Sequence, residues 1–297
     1  MEMNLFAQKV VNALNEKFDG QYTFDSQDVL KTNGINLRGI YAQVEDGITP
    51  VVYIDKYLLD YRMGKGFDVI TAEIASEYLE AMRIAPVRFD EDQLLDGDRA
   101  RSKLLAKLVN YDLNKEMLQS VPHRRIDDYA IIPIMDIDYG NGTGEVKFTK
   151  EQFEKFGWDE NEVIDEAFNR TVTECPAVIS YMSELAFGMG DSANLLKEDI
   201  EGAVEGLLVV TNTTSCDGAI ALYYPEVKEW FDQHINGDFY IIPSSIHEVL
   251  IIPNGKGADI SSLTAMLLSV NGAMVADNEV LGTRALRYDK KAGCFVS

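Results

Sequence analysis

Residues 206–253, GLLVVTNTTSCDGAIALYYPEVKEWFDQHINGDFYIIPSSIHEVLIIP, decide the fold of this chain. The stretch contains four short apolar runs, rich in β-branched and aromatic residues and separated by turn formers, which is typical of strands. The runs are Leu207–Val210, Ala219–Tyr223, Phe239–Ile242 and Val249–Ile252. Between the second and third runs, Pro225 suits the first turn of a helix with Trp230 and His234 on one face. The stretch therefore predicts strands with one intervening helix.

Composition and charge limit the classes of function. The chain has 297 residues, 46% of them hydrophobic, so it can bury a substantial core. Its formal net charge is -22, and such a field repels phosphate backbones and anionic membranes. We therefore expect no direct nucleic-acid binding and no membrane binding. The first interpretation of the acidity is solubility in a bacterial-type cytosol. The more specific interpretations are binding to a partner protein with a basic surface, or an acidic DNA mimic.

The N-terminus and the cysteines indicate the compartment. The segment MEMNLFAQKVVNALNEKF has Glu2 and Lys9 within an amphipathic pattern, which is not typical of a signal peptide. Cys175, Cys216 and Cys294 are widely spaced and form no CxxC pair. We therefore predict a cytoplasmic, disulfide-free protein without metal or cofactor.

The first region, 1–85, has strong local signals. Apolar residues at helical spacing predict a helix at 3–18, and a three-stranded antiparallel meander is expected at 25–54. Asn33-Gly34 and Asp46-Gly47 are suited to its type I′ turns, because Asn, Asp and Gly tolerate positive φ. Two helices should follow, one at Lys56–Arg62 and one starting near Phe67.

The central region, 86–204, is predicted to be mainly helical with one strand pair. Residues 90–119 show helical spacing of Leu104, Leu105, Leu108, Val109 and Leu113. DYAIIPIMDID is an extended run, and the glycines of YGNGTGEVKFT predict a turn and a returning strand. The capping-box spacings of Thr149 with Gln152 and of Asp159 with Glu162 predict helices from about 150 and 160.

The third region, 205–297, is predicted to be an α+β unit. After its four runs, Asp259 or Ser261 should cap a helix with a stripe of Leu263, Met266, Leu267, Val270 and Met274. TRALRYDKKAGCFV predicts a final hairpin. The fold class is therefore α+β, with mainly antiparallel sheets and helices packed on one face. The predicted core includes Ile40, Val52, Ile74, Leu108, Phe168, Val209, Tyr240 and Leu267.

The segment IIPSSIHEVLI contains the first candidate site: Ser244, Ser245, His247 and Glu248. A serine hydrolase needs its nucleophile, imidazole and acid in one hydrogen-bonded line. Adjacent strand residues point to opposite faces, so Glu248 cannot easily orient His247, and no G-x-S-x-G elbow is present. We expect an architectural turn. The alternative is a hydrolase or transferase that uses Ser245, His247 and Glu248.

The second candidate is the basic cluster His123, Arg124 and Arg125. Arginine forks can bind a carboxylate or phosphate. Asp127 and Asp128 follow directly, however, and in an acidic chain an internal ion pair is the commoner outcome. We therefore expect these cations to have a structural role.

Three long blocks carry a family resemblance. They are VLKTNGINLRGIYAQVEDGITPVVYIDKYLLDYRMG, KLLAKLVNYDLNKEMLQSVPHRRIDDYAII, and the part of residues 206–253 that contains LVVTN, DGAIALYYPEVKEW and DFYIIPSSIHEVLIIP. They resemble the bacterial domain-of-unknown-function family 5688, over residues from about 5 to 290. The C-terminal block is also similar to the uncharacterised family typified by the YtpQ protein. The resemblance implies a bacterial, cytoplasmic protein and a link to mobile elements, but no catalytic residue. We therefore expect a non-enzymatic, protein-binding or regulatory role.

Overall fold

The computed structural model of the chain describes residues 1–43, 49–84, 96–138, 143–186, 194–253 and 259–296. Two units pack internally: Met1–Ser102 with Met135–Val146, and Lys103–Ile134 with Lys147–Ser297. The division of the sequence into 1–85, 86–204 and 205–297 stays a prediction.

The first unit combines helices with a small antiparallel sheet. Its sheet has the order β1 (Thr23–Leu30), β2 (Asn36–Gln43), β3 (Val52–Tyr53). The helices of this unit among the described residues are Met3–Phe18, Asp55–Arg62, Phe67–Ile84 and Gly97–Arg101. The predicted meander and the two helices after it are therefore confirmed.

The first turn of the meander has the predicted geometry. Asn33 and Gly34 have φ values of 62° and 69°, the left-handed region that a type I′ turn requires. The Lys31 N–H donates to the Ile35 carbonyl at 2.7 Å across this loop, and in the register of the hairpin Val29 pairs with Leu37. The second predicted turn, Asp46-Gly47, lies outside the described residues.

A second sheet contains β4 (Leu105–Asn110), β5 (Arg124–Ile126), β6 (Tyr129–Asp138) and β7 (Thr143–Lys147). β6 lies between β4 and β5, and β7 also pairs with β6. The prediction of a helix over 90–119 is therefore wrong at β4. Residues 106–110 are buried on both faces, so the strand lacks the alternation that distinguishes strand from helix.

The third sheet has six strands among the described residues, and residues 206–253 supply three of them. Its strands are β8 (Ala177–Tyr181), β9 (Leu208–Asn212), β10 (Phe239–Ile242), β11 (Val249–Pro253), β12 (Leu286–Asp289) and β13 (Cys294–Val296). The order is β13-β12-β10-β11-β9-β8, antiparallel throughout. The final hairpin, β12 with β13, is as predicted.

One predicted strand of this stretch is wrong. Gly218–Tyr223 is a 3₁₀ helix, and its residues 218–222 are buried. A short apolar run is typical of buried segments of either strand or helix, so the composition of this run did not identify its backbone conformation. The helix Pro225–His234 follows, with proline in its first turn as predicted.

The other helices of the second unit among the described residues are Met117–Ser120, Lys150–Phe156, Glu160–Glu174, Met182–Ala186 and Ile260–Met274. Short 3₁₀ helices lie at Leu195–Lys197 and Asp277–Glu279. Thr149 and Gln152 form the predicted capping box. Asp259 accepts hydrogen bonds from Ser261 and Ser262 at the start of the last long helix.

The α+β class with antiparallel sheets is thus confirmed. Six predicted core residues are buried: Ile40, Val52, Ile74, Leu108, Val209 and Leu267. Phe168 and Tyr240 are partly exposed. Within the described ranges, no helix has the length and apolarity that crossing a membrane requires.

Candidate functional site

The turn between β10 and β11 is held by its two serines. Ser245 Oγ accepts a hydrogen bond from the His247 N–H at 3.0 Å, which makes a serine-type turn. Ser244 Oγ instead donates to Asn271 Oδ1 at 2.8 Å, and Asn271 Nδ2 donates to the Gly282 carbonyl at 2.9 Å. Both serines are buried. Their hydroxyls therefore have architectural hydrogen bonds.

The hydrogen bonds of His247 define its tautomer. Nδ1 accepts the backbone N–H of Asp217 at 3.1 Å, so the proton of the neutral ring lies on Nε2. Nε2 lies 3.7 Å from a Glu279 carboxylate oxygen. The His247 carbonyl accepts the Thr211 hydroxyl at 2.8 Å. The imidazole thus joins the β11 side of the turn to the loop after β9.

This contact creates a cluster that the sequence did not indicate. One ligand-type atom each from Cys216, Asp217 and His247 lies within 4.8 Å of the others. The Lys107 ammonium lies 3.0 Å from Asp217 Oδ1, and both side chains are largely buried. Thirty positions separate Asp217 from His247 and more separate it from Lys107, so no local motif could have revealed the group.

The cluster can be considered for two kinds of chemistry. Thiolate, carboxylate and imidazole are ligands that zinc accepts. A thiol beside an imidazole is also a nucleophile arrangement. However, the Asp217 carboxylate already binds Lys107, and Nδ1 of His247 already accepts a backbone N–H. Either use of the cluster requires these contacts to change.

Glu248 is half-buried after this turn. Burial raises the pKa of its carboxyl, with a further increase from Glu279 and an opposing effect of His247. The native protein therefore retains this proton at pH values where the unfolded chain has lost it. Consequently, this group lowers the free energy of unfolding as pH rises above the ordinary glutamate pKa of about 4.3.

Glu248→Gln should remove this pH dependence. We expect its Tm to exceed that of the wild type at pH 7 by on the order of 1–2 °C, and the difference to vanish near pH 4. Thermal unfolding followed by circular dichroism measures both values. The exposed carboxylate Glu151, changed to Gln, is the control. A difference that is equal at pH 4 and pH 7 would contradict this account.

The basic cluster is dispersed over different partners. Arg124 Nη1 donates to the Asp165 carboxylate and Nη2 donates to the Asn161 carbonyl. The Arg125 guanidinium lies 4.2 Å from the centroid of the Tyr111 ring. His123 Nδ1 lies 3.0 Å from the Val121 carbonyl oxygen.

The carboxylates that follow this cluster also have other partners. Asp128 forms a bidentate ion pair with Arg284, and Asp127 accepts the Tyr223 hydroxyl at 2.9 Å. The ion pairs of this region therefore form with distant residues and not with its sequence neighbours.

An exposed apolar surface lies on the helix Ile260–Met274. The predicted stripe is mostly outside the core: Met266, Val270 and Met274 are 46%, 38% and 83% exposed, and only Leu267 of the five is buried. Leu268 is 51% exposed. No charged residue occurs between Asp259 and Asp277. We call this surface the apolar helix face.

Comparisons with known proteins give one match. A family model described as "Family of unknown function (DUF5688)" matches residues 3–290. No curated protein and no solved structure matches the chain. The similarity of the C-terminal block to the YtpQ-typified family stays a prediction.

Proposed function

The chain belongs to the family of unknown function DUF5688, and from its geometry we propose a non-enzymatic, protein-binding role. The apolar helix face is the docking surface. Its occupant is a partner protein that presents an apolar patch flanked by basic side chains. The observation that carries the proposal is an uncharged, exposed apolar helix in a chain whose formal net charge is -22.

The arrangement of side chains on this helix suits close packing. Successive helix residues are about 100° apart, so Met266 and Val270 flank the buried Leu267 on one side and Leu268 flanks it on the other. Ala265 and Gly272 lie on the outer face, both exposed. Small outer residues between large apolar flanks allow a partner backbone to approach closely, and exposed apolar patches commonly mark protein interfaces.

Charge distinguishes between possible occupants. A helix that binds a membrane surface usually carries lysine or arginine on its polar face, and this helix has neither. Both of its ends carry acidic residues, Asp259 and Asp277. Another acidic copy of the chain would be repelled, whereas basic residues around an apolar patch would be attracted. The proposed partner is therefore basic.

Charged substitutions test the proposal. Leu268→Glu and Met266→Glu should each reduce recovery of a specific partner from bacterial extract by more than about tenfold, because a buried unpaired charge costs well over 1.4 kcal/mol. Met63→Glu is the matched control, since Met63 is 78% exposed and lies in the first unit. Tagged wild type and variants are compared by affinity capture and mass spectrometry.

The supporting result is specific. One protein with a basic surface should be captured by the wild type and by Met63→Glu, and lost with both helix variants. Its capture should weaken as salt increases, because screening reduces charge attraction. Identical proteins captured by all four forms would contradict the proposal. Self-association that Leu268→Glu abolishes would identify a second copy as the occupant and overturn the basic partner.

The proposal also includes a cytoplasmic location and a link to mobile elements. The wide spacing of Cys175, Cys216 and Cys294, without a CxxC pair, supports the reducing cytoplasm as the compartment. The link to mobile elements rests on the resemblance alone.

A hydrolase or transferase is the second candidate, and the proximity of Cys216, Asp217 and His247 favours it. In such an enzyme the nucleophile would be the Cys216 thiol. Ser244 and Ser245 are less suitable because their hydroxyls form the hydrogen bonds of the turn. Labelling by iodoacetamide tests it. Enhanced thiol reactivity of Cys216 that His247→Ala removes, in a variant with unchanged Tm, supports the enzyme. Ordinary reactivity that does not depend on His247 argues against it.

A further inference from the structure

A cavity of about 540 Å³ lies within the second unit. Its size is in the range of small-molecule sites, roughly 300–1,000 Å³. The elements around it are β5 and β6, the helices Glu160–Glu174 and Pro225–His234, the Gly218–Tyr223 segment, and β10, β12 and β13. Elements from two sheets therefore meet at one concave surface, at a place separate from the apolar helix face.

Much of the cavity surface is aromatic. Phe231 and Phe239 have ring centroids 5.1 Å apart, and Phe239 stacks on Tyr288 at 4.8 Å. Phe295 lies 5.3 Å from Tyr288 and 6.0 Å from Tyr223. These five rings form a continuous series along the cavity, which we call the aromatic wall. The faces of aromatic rings carry negative electrostatic potential and attract cations.

The carboxylates that line the cavity outnumber the cations. Three carboxylates and two cations line it: Asp127, Asp165, Asp232, Arg124 and Lys228. Arg124 is neutralised by Asp165. Asp127 accepts the Tyr223 hydroxyl, and within the part of the chain that the structure describes no ion pair to its carboxylate is present. An acidic group beside the aromatic wall is thus left without a counter-cation.

The pKa of the Tyr223 hydroxyl is affected by the same negative charge. Burial, followed by the negative charge of Asp127, raises the pKa of this phenol. The phenol therefore stays protonated and donates to the carboxylate. A negatively charged ligand group next to Tyr223 and Asp127 would therefore be repelled, and a positively charged one would be attracted.

We propose that this cavity binds an organic cation, a ligand with an apolar or aromatic body and one ammonium group. The body packs against the aromatic wall. The ammonium lies near Asp127, where the carboxylate and the ring faces both attract it. The exposed Lys228 is the opposing charge at this site, and it reduces affinity for the ligand. This proposal does not depend on the proposed protein-binding role.

Three probes with similar bodies test the sign of the charge. They are 2-phenylethylammonium, neutral 2-phenylethanol and anionic 3-phenylpropanoate, titrated separately into the full chain by isothermal titration calorimetry at low salt. We expect saturable binding of the cation, at least about tenfold tighter than that of the alcohol or the anion. Tighter binding of the anion, or no saturable binding of the cation at millimolar concentration, would overturn the proposal.

Variants locate the site. Asp127→Asn keeps an acceptor for the Tyr223 hydroxyl but removes the charge, and it should weaken cation binding by about tenfold. Glu151→Gln makes the same change in net charge at an exposed position outside the cavity and should leave affinity unchanged. Lys228→Met should tighten cation binding. Equal affinities for Asp127→Asn and Glu151→Gln, or weaker binding by Lys228→Met, would place the cation elsewhere and overturn the assignment.

Discussion

Lys107→Met is expected to lower the free energy of unfolding by about 3–5 kcal/mol, the usual cost of removing one member of a buried ion pair. Lys107 lies in β4, and its ammonium is 3.0 Å from Asp217 Oδ1, with side-chain exposures of 8% and 17%. Methionine fills a similar volume but leaves the Asp217 carboxylate without its counter-charge. The main loss therefore comes from an uncompensated charge and not from a cavity.

Urea denaturation measures this effect, and a double variant separates its cause. Asp217 has φ of 50°, a left-handed conformation that asparagine also tolerates. Lys107→Met with Asp217→Asn should therefore recover part of the lost free energy, because no charge remains unpaired. If Lys107→Met alone unfolds within about 0.5 kcal/mol of the wild type, the pair contributes little and this explanation is wrong.

Gly218→Ala should destabilise the protein by roughly 1–3 kcal/mol or more, because the new methyl group has no space. A Cβ at this position would lie 2.3 Å from Thr211 Oγ1, 2.6 Å from the His247 carbonyl oxygen and 2.7 Å from the Asn212 nitrogen. Two of these atoms belong to backbone, which cannot move as a side-chain end can. The loop carrying Cys216 and Asp217 would have to shift.

Gly272→Ala is the matched control for this prediction. Gly272 lies in the helix Ile260–Met274, and apart from its chain neighbours and the backbone of its own helix no atom lies within 4 Å of an added Cβ. Alanine should therefore stabilise the helix by about 0.5–1 kcal/mol. The same urea titration measures both variants. A Gly218→Ala protein as stable as the wild type would show that this loop accommodates the methyl group and is not tightly packed.

Features set by short-range chemistry were predictable from the sequence. Asn33-Gly34 sets a turn because both residues tolerate positive φ. Thr149 and Gln152 start a helix because their side chains accept hydrogen bonds from N–H groups that have no partner within the helix. Pro225 starts another because it has no N–H that would need a partner there. Predictions resting on these residues agree with the structure because their causes lie within a few positions.

Features that depend on distant partners were not predictable. Leu105–Asn110 is a strand because it pairs with β6 and is buried on both faces, while its spacing also fits a helix. The meeting of Lys107, Asp217 and His247 depends on how two sheets are placed. Met266 and Met274 are apolar at helical spacing, which does not reveal whether the protein's own core or another molecule covers them.

A photo-crosslinking amino acid at position 268 tests the proposed docking surface most directly. Leu268 is 51% exposed in the helix Ile260–Met274, and Leu59, 58% exposed in the first unit, is the control position. After irradiation in bacterial extract, the protein labelled at 268 should form an adduct with one basic partner that label at 59 does not give. The contradicting result is the same set of adducts from both positions, or none from position 268.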